Sequence, residues 1–171
     1  NGLPLVRRCV EIYESSRADP VIVVVGYERQ RIQDSLKGLP LMIRFNQNFK
    51  SGKASSIACG LEALPAGTRA VLFAQADMPF VEVSTVNLLL NAYDGPDKII
   101  VPLYKGQPGS PKLFGSDYFK ALSDLLGEQT GMKIIRKNRP NVIYVETCDP
   151  GILIDLDKAS DFKAHCEGNH G

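Results

Sequence analysis

Asp77 follows the apolar run Val71-Leu72-Phe73 and precedes Met78-Pro79. Such a run reads as a strand covered on both faces, and Pro79 keeps a helix from starting before the acid is exposed. Ligands bind outside the carboxyl ends of strands of this kind, which makes Asp77 a candidate metal-binding and catalytic acid; the same residue also reads as a cap for the following helix. Asp155 and Asp157 repeat the pattern after Ile152-Leu153-Ile154, spaced so that they share one face if the segment is extended. Magnesium needs only a few carboxylate oxygens beside water and substrate phosphates, so Asp77 with Asp155 or Asp157 suffices where the two strand ends meet. Read alone, Asp157 is equally a cap for a helix over 159–164.

A second stretch, Asn46 through Ser56, leads from a strand end into a helix and is polar and flexible. Free backbone N–H groups at such a start favour anions and polar ligand edges. Gly52-Lys53 invites comparison with a phosphate-binding P-loop, but no glycine precedes Gly52 by five residues and Ala54 stands where Ser or Thr is required. Read locally, the segment is a helix start with Ser55 and Ser56 in its first turn, and Lys53 is either a solvated lysine or an auxiliary phosphate contact.

The elements that must position these groups alternate. The spacing predicts a helix over Leu5 to Tyr13, a strand over Val21 to Val25, a helix over Glu28 to Leu36, a strand over Leu41 to Phe45 and a helix through Ile57 to Leu64. A strand over Arg69 to Phe73, a helix over Val83 to Tyr93 and a strand over Lys98 to Leu103 follow. A glycine- and proline-rich loop over 105–111 then leads to a returning strand at Lys112 to Phe114. Helices over Asp117 to Leu125 and Met132 to Lys137, a strand over Val142 to Glu146 and a last apolar segment, Ile152 to Leu156, complete the pattern. Alternation of this kind predicts an α/β fold of three layers around a mostly parallel sheet.

The chain of 171 residues, 44% of them apolar, is long enough for one well-cored domain over 1–171. Twenty basic and nineteen acidic residues spread along it leave a net charge of +1, which implies no extended basic surface for nucleic acid or acidic membranes. No apolar run reaches the roughly 20 residues of a membrane span, and a soluble, cytoplasmic protein is expected. Cys9, Cys59, Cys148 and Cys166 form no Cys-x-x-Cys pair and read as small hydrophobes in a reducing compartment. His165 and His170 lie in the closing polar stretch and read as a frayed tail.

In its motifs the chain resembles the nucleotidyltransferases that build molybdenum-cofactor dinucleotides, in particular molybdopterin cytidylyltransferase-like proteins. The resemblance rests on Asn46 with Gly52, Ser55-Ser56 and Gly60-Leu61; on Asp77-Met78-Pro79; on Gly109-Ser110-Pro111; on Gly127 to Gly131; and on Ile154-Asp155-Leu156-Asp157 with Asp161. It implies a Rossmann-like nucleotidyltransferase fold in which Asp77 is catalytic and binds magnesium, with Asp155 and Asp157 completing the metal region. Asn46, Gly52, Ser55 and Ser56 then hold the nucleotide, and Pro79, Gly109, Ser110 and Pro111 the acceptor. The implied reaction is transfer of CMP from CTP to molybdopterin with release of pyrophosphate, and the implied partners are molybdoenzyme apoproteins or their chaperones.

The chain departs from the family pattern at Ala76-Asp77, where the family has Gly-Asp, at Gly109-Ser110-Pro111 for Gly-His-Pro, and at Asp157-Lys158-Ala159 for Asp-Thr-Pro. The metal acids survive these changes, while Ser110 for histidine alters the acceptor contacts. The family's first strand and glycine-rich phosphate loop have no counterpart in the sequence, so residues before Asn1 are expected, carrying a strand flanked by Val21 to Val25 and Arg69 to Phe73. Transfer to a sugar or polyol phosphate is the rival reaction on the same fold. A nucleotide-binding accessory module without turnover is the rival of a different class.

Overall fold

The computed structural model describes residues 4–156. Helix α1, Leu5–Glu14, buries Cys9, Val10 and Tyr13 along one stripe. Strands β1, Ile22–Val25, and β2, Met42–Phe45, pair in parallel and are joined by helix α2, Arg29–Ser35. Helix α3, Lys53–Glu62, precedes strand β3, Ala70–Phe73, and helix α4, Val83–Asn91, precedes strand β4, Ile99–Tyr104. The loop after β4 closes as a tight hairpin onto a short strand β5, Gln107–Pro108, because both turn residues, Lys105 at φ 50° and Gly106 at φ 75°, adopt left-handed backbone. Strand β6, Lys112–Gly115, helix α5, Phe119–Ser123, helix α6, Met132–Lys137, and strand β7, Val142–Glu146, follow.

Side-chain alternation explains the layers. Ile99, Val101 and Phe114 point to one face and pack with Ala54 and Leu61 of α3, Leu122 of α5 and Ile134 of α6. Ile100 and Leu113 point to the other face and pack against Leu89 of α4. Tyr13 of α1 joins Met78, Val81 and Val86 in a neighbouring cluster, which locks the segment after Asp77 between α1 and α4. The helices therefore cover both faces, as the three-layer reading expects.

The sheet differs from the mostly parallel one expected. Among the described residues β1 and β2 form a two-stranded sheet, while β3, β6, β4, β5 and β7 form a second sheet of five strands. Two of the five pairings, β1 with β2 and β4 with β7, are parallel; β6 runs antiparallel to both β3 and β4, and β5 runs antiparallel to β4. Alternation of helix and strand says nothing about a strand that returns through a hairpin, and the 105–111 loop provides such a return. The free edges of β1 and β3 have no strand partner among the described residues, and both line one cavity of about 520 Å³ with Val23, Val71 and Ile57.

The end of the described chain also corrects an expectation. Ile152 to Leu156 is not a strand: Pro150–Leu153 forms a single 3-10 turn, and Asp155 follows in irregular backbone. The Pro-Gly pair after Asp149 starts a turn where periodicity alone suggested an extended run.

Candidate active site

β3 ends at Phe73, and Asp77 sits in the turn beyond it. It does not cap α4, whose first turn is preceded by Glu82. The Oδ1 of Asp77 is buried and accepts no hydrogen bond among the described residues. A buried carboxylate oxygen without a partner is unfavourable unless a cation or donor arrives, and this atom is open to either. Its backbone carbonyl accepts a hydrogen bond from the Leu156 N–H at 2.8 Å, which brings the chain next to exposed Asp155 against the Asp77 turn. The backbone next to Asp155 thus meets the Asp77 turn, through Leu156 and not through the two carboxylates; Asp157 lies outside the described residues. No group of three or more His, Cys, Asp or Glu side chains gathers into a metal cluster among the described residues.

The buried thiol of Cys9 lies under this turn and donates to Ala76 O at 3.2 Å. Burial pushes its pKa up to about 11, with the Asp77 charge adding to the shift. Pro79 is buried, and its carbonyl accepts from Arg8 Nε at 3.3 Å. Its ring is therefore part of the packing beneath the turn.

Asn46 ends the β2 segment and is 4% exposed. Its Nδ2 donates to Ser55 Oγ at 2.8 Å and to Ser56 Oγ at 3.1 Å, and its Oδ1 accepts from Asn48 N at 2.9 Å. Asn46 thus fixes the two hydroxyls that the sequence assigned to the nucleotide. Gly52, at φ +104°, starts α3 where a side chain would strike the Gly127 carbonyl at 2.4 Å, and the Ala54 N–H donates to that same carbonyl at 3.0 Å. The glycine motifs at 52 and 127 are one close approach. Lys53 is exposed at the first position of α3.

Gly109 packs on the turn at Ile152, whose carbonyl accepts from the Ser110 N–H at 2.9 Å; a Cβ at Gly109 would lie 2.4 Å from that oxygen. Ser110-Pro111 is a cis peptide and Pro111 is buried. The Gly109-Ser110-Pro111 loop and the turn before Asp155 are therefore stitched together, and Leu156 to Asp77.

Sequence reasoning missed two residues. Asp149, 2% exposed, accepts from Glu82 N at 2.8 Å, Thr85 Oγ1 at 2.8 Å and Gly151 N at 2.7 Å, which pins the Gly151 turn to the start of α4. Asp-Pro-Gly is a turn signature, and it was the available signal. Lys112, the first residue of β6, is half-buried at the same edge and donates to Ser110 Oγ at 2.9 Å. Nothing in its local sequence singles it out.

The family model described as MobA-like NTP transferase domain matches residues 1–142. Among solved structures, a nucleotidyl transferase from Methanothermobacter (Mth528) superposes with a TM-score of 0.82 at 21% identity, covering 98% of this chain and 81% of that one. Rv0371c of Mycobacterium tuberculosis H37Rv in complex with manganese gives 0.77 at 19% identity, covering 98% and 88%. The 4-diphosphocytidyl-2C-methyl-D-erythritol synthase of Anaerococcus prevotii DSM 20548 gives 0.78 at 16% identity, covering 98% and 87%. At these identities the likeness is one of fold. The bifunctional protein GlmU of Geotalea uraniireducens (strain Rf4) is 24% identical over 102 residues, 60% of this chain and 22% of that protein. The chain spans about a quarter or less of the length of such curated relatives.

Proposed function

The chain belongs to the MobA-like NTP transferase domain family, and on that footing we propose that it is a magnesium-dependent nucleotidyltransferase that transfers CMP from CTP to molybdopterin and releases pyrophosphate. The observation that carries the reading is the partnerless buried Oδ1 of Asp77 beside the segment of Asp155. Asp77 and Asp155 are the described residues that would hold magnesium, with Asp157 as the third acid of the sequence motif. Bound there, the ion supplies positive charge to phosphate oxygens in place of water. The manganese complex of Rv0371c supports a divalent ion on this fold.

The protein residues position and shield. Ser55 and Ser56, oriented by Asn46, present hydroxyls to the nucleotide, and the close Gly52–Gly127 approach fixes the start of the helix that carries them. The loop Gly109-Ser110-Pro111, held on Ile152, faces the acceptor with the buried Pro79 below the Asp77 turn. An acceptor phosphate oxygen attacks the α-phosphorus of CTP, the bond to the β-phosphate oxygen breaks in line, and pyrophosphate leaves with that electron pair. No covalent bond to the protein forms. On this reading the protein works in the cytoplasm and hands its product to molybdoenzyme apoproteins or their chaperones.

A second acceptor class is a polyol phosphate, favoured by the fold shared with the diphosphocytidyl-methylerythritol synthase. Pyrophosphate release from CTP or GTP, with molybdopterin, sugar phosphates or polyol phosphates and with or without magnesium, separates these readings. The expected outcome is release with CTP, molybdopterin and magnesium together. Nucleotide binding without release for any acceptor points instead to an accessory module.

A further inference from the structure

Lys112 is paired in register with Phe73, the last residue of β3. Residues directly opposite one another on adjacent strands share a face, and Phe73, like Ile57 of α3, packs against the cluster that contains Ala54. The lysine stem thus starts on the α3 side of the sheet, the side of the Gly52 to Ser56 segment. From Phe73 the chain runs directly to Asp77.

The ammonium donates to Ser110 Oγ at 2.9 Å. No carboxylate among the described residues pairs with it. An ammonium has three donors, and burying its charge beside one neutral hydroxyl is unfavourable; burial accordingly pushes its pKa below the ordinary lysine value. Its surroundings are held firmly, since Ser110 N is bonded to Ile152 O at 2.9 Å and Leu156 N to Asp77 O at 2.8 Å. Among the described residues a half-buried cation without a counter-charge therefore stands beside the Gly109-Ser110-Pro111 loop, on the strand paired with the end of β3.

We propose that Lys112 binds the phosphate group of the acceptor and so determines specificity for phosphorylated acceptors, an inference that rests on the nucleotidyl transfer proposed above. The acceptor is favoured over the nucleotide because the partner of Lys112 is Ser110 of the acceptor loop, whereas the hydroxyls of Ser55 and Ser56 are tied to Asn46. The role is electrostatic: the ammonium offsets the charge of the incoming phosphate and holds its oxygen toward the nucleotide, and no bond to lysine is made or broken.

The test uses the full-length protein with Lys112→Gln, which keeps a polar group beside Ser110, and Lys112→Arg, which keeps the charge. Lys112→Gln is expected to raise KM for the phosphorylated acceptor by about 10-fold or more, to leave the CTP dissociation constant within about twofold, and to be largely rescued by Lys112→Arg. Inorganic phosphate, titrated against the protein by phosphorus NMR, supplies a readout that needs no turnover: wild type binds it, and Lys112→Gln weakens binding by about 10-fold or more. Unchanged phosphate affinity in Lys112→Gln, no phosphate binding by wild type, or a raised CTP dissociation constant with unchanged acceptor KM overturns the assignment. If no acceptor is turned over while phosphate binding depends on Lys112, the transfer reading fails and the anion site stands. Should Lys112→Gln fail to fold, Lys112→Arg with unaltered phosphate affinity against a charge-neutral Lys112→Met decides by the same titration.

Discussion

Replacing Asp77 by Asn removes a charge whose Oδ1 has no hydrogen-bond partner among the described residues, so the substitution takes away the proposed metal ligand and little that stabilises the fold. Asp77→Asn is expected to lower magnesium-dependent pyrophosphate release by about 100-fold or more, with a melting temperature equal to or above that of wild type. Wild-type turnover at saturating magnesium would remove Asp77 from the mechanism. The proposed nucleotide contact of Ser56 is a lesser one, since its Oγ is held by Asn46 at 3.1 Å and is one of two such hydroxyls. Ser56→Ala should weaken CTP binding by roughly 3- to 10-fold, the value of one hydrogen bond, and leave kcat nearly unchanged. Isothermal titration with CTP checks it, and an unchanged dissociation constant counts against a nucleotide role.

The elements meet the site through Asp149, which sits after β7 and bonds the start of α4 and the Gly151 turn at once. Without its carboxylate, the N–H groups of Glu82 and Gly151 and the Thr85 hydroxyl lose buried acceptors. Asp149→Ala is therefore expected to destabilise by about 3–5 kcal/mol, measured by urea unfolding, and to weaken magnesium dependence because the Gly151 turn leads to Asp155. A loss below 1 kcal/mol, on the order of one exposed hydrogen bond, would show that the three contacts are not formed together. Much at this scale was legible: helices over 83–91 and 132–137 and the strand over 142–146 follow from apolar spacing and turn residues. The 3-10 turn at Pro150–Leu153 was not, because a short apolar run fits a strand or a buried turn equally until Asp149 caps it.

Across the whole molecule, α1 covers the Asp77 turn and couples its stability to pH. Cys9 is 2% exposed, and burial holds its pKa at about 11 against an ordinary 9.0. A raised folded pKa favours the fold below pH 9, where both states keep the proton, and that advantage is lost as pH climbs through 9 toward 11 because the unfolded thiol ionises first. The contribution at stake is on the order of 2–3 kcal/mol. Burial raises the Tyr13 pKa as well, so its effect has the same sign at higher pH. Urea midpoints measured from pH 8 to 11 should fall, and Cys9→Ala should flatten the fall even though it lowers the starting value. An equal slope in Cys9→Ala assigns the pH dependence to other groups.

The amino-acid order by itself determined most of the helices and strands, Ile152 to Leu156 excepted, and that Asp77 would stand past an apolar strand, since apolar periodicity and turn chemistry are local properties of the chain. It also placed Gly52, Ser55 and Ser56 at one helix start and the Gly109-Ser110-Pro111 loop before a strand. Only the tertiary structure decided the direction of β6 and the pairing of Lys112 with Phe73. It alone brought Leu156 against Asp77 and Gly127 against Gly52. Strand register and buried polar partnerships join residues far apart along the chain, and their energy depends on which groups are left without a partner when the layers close.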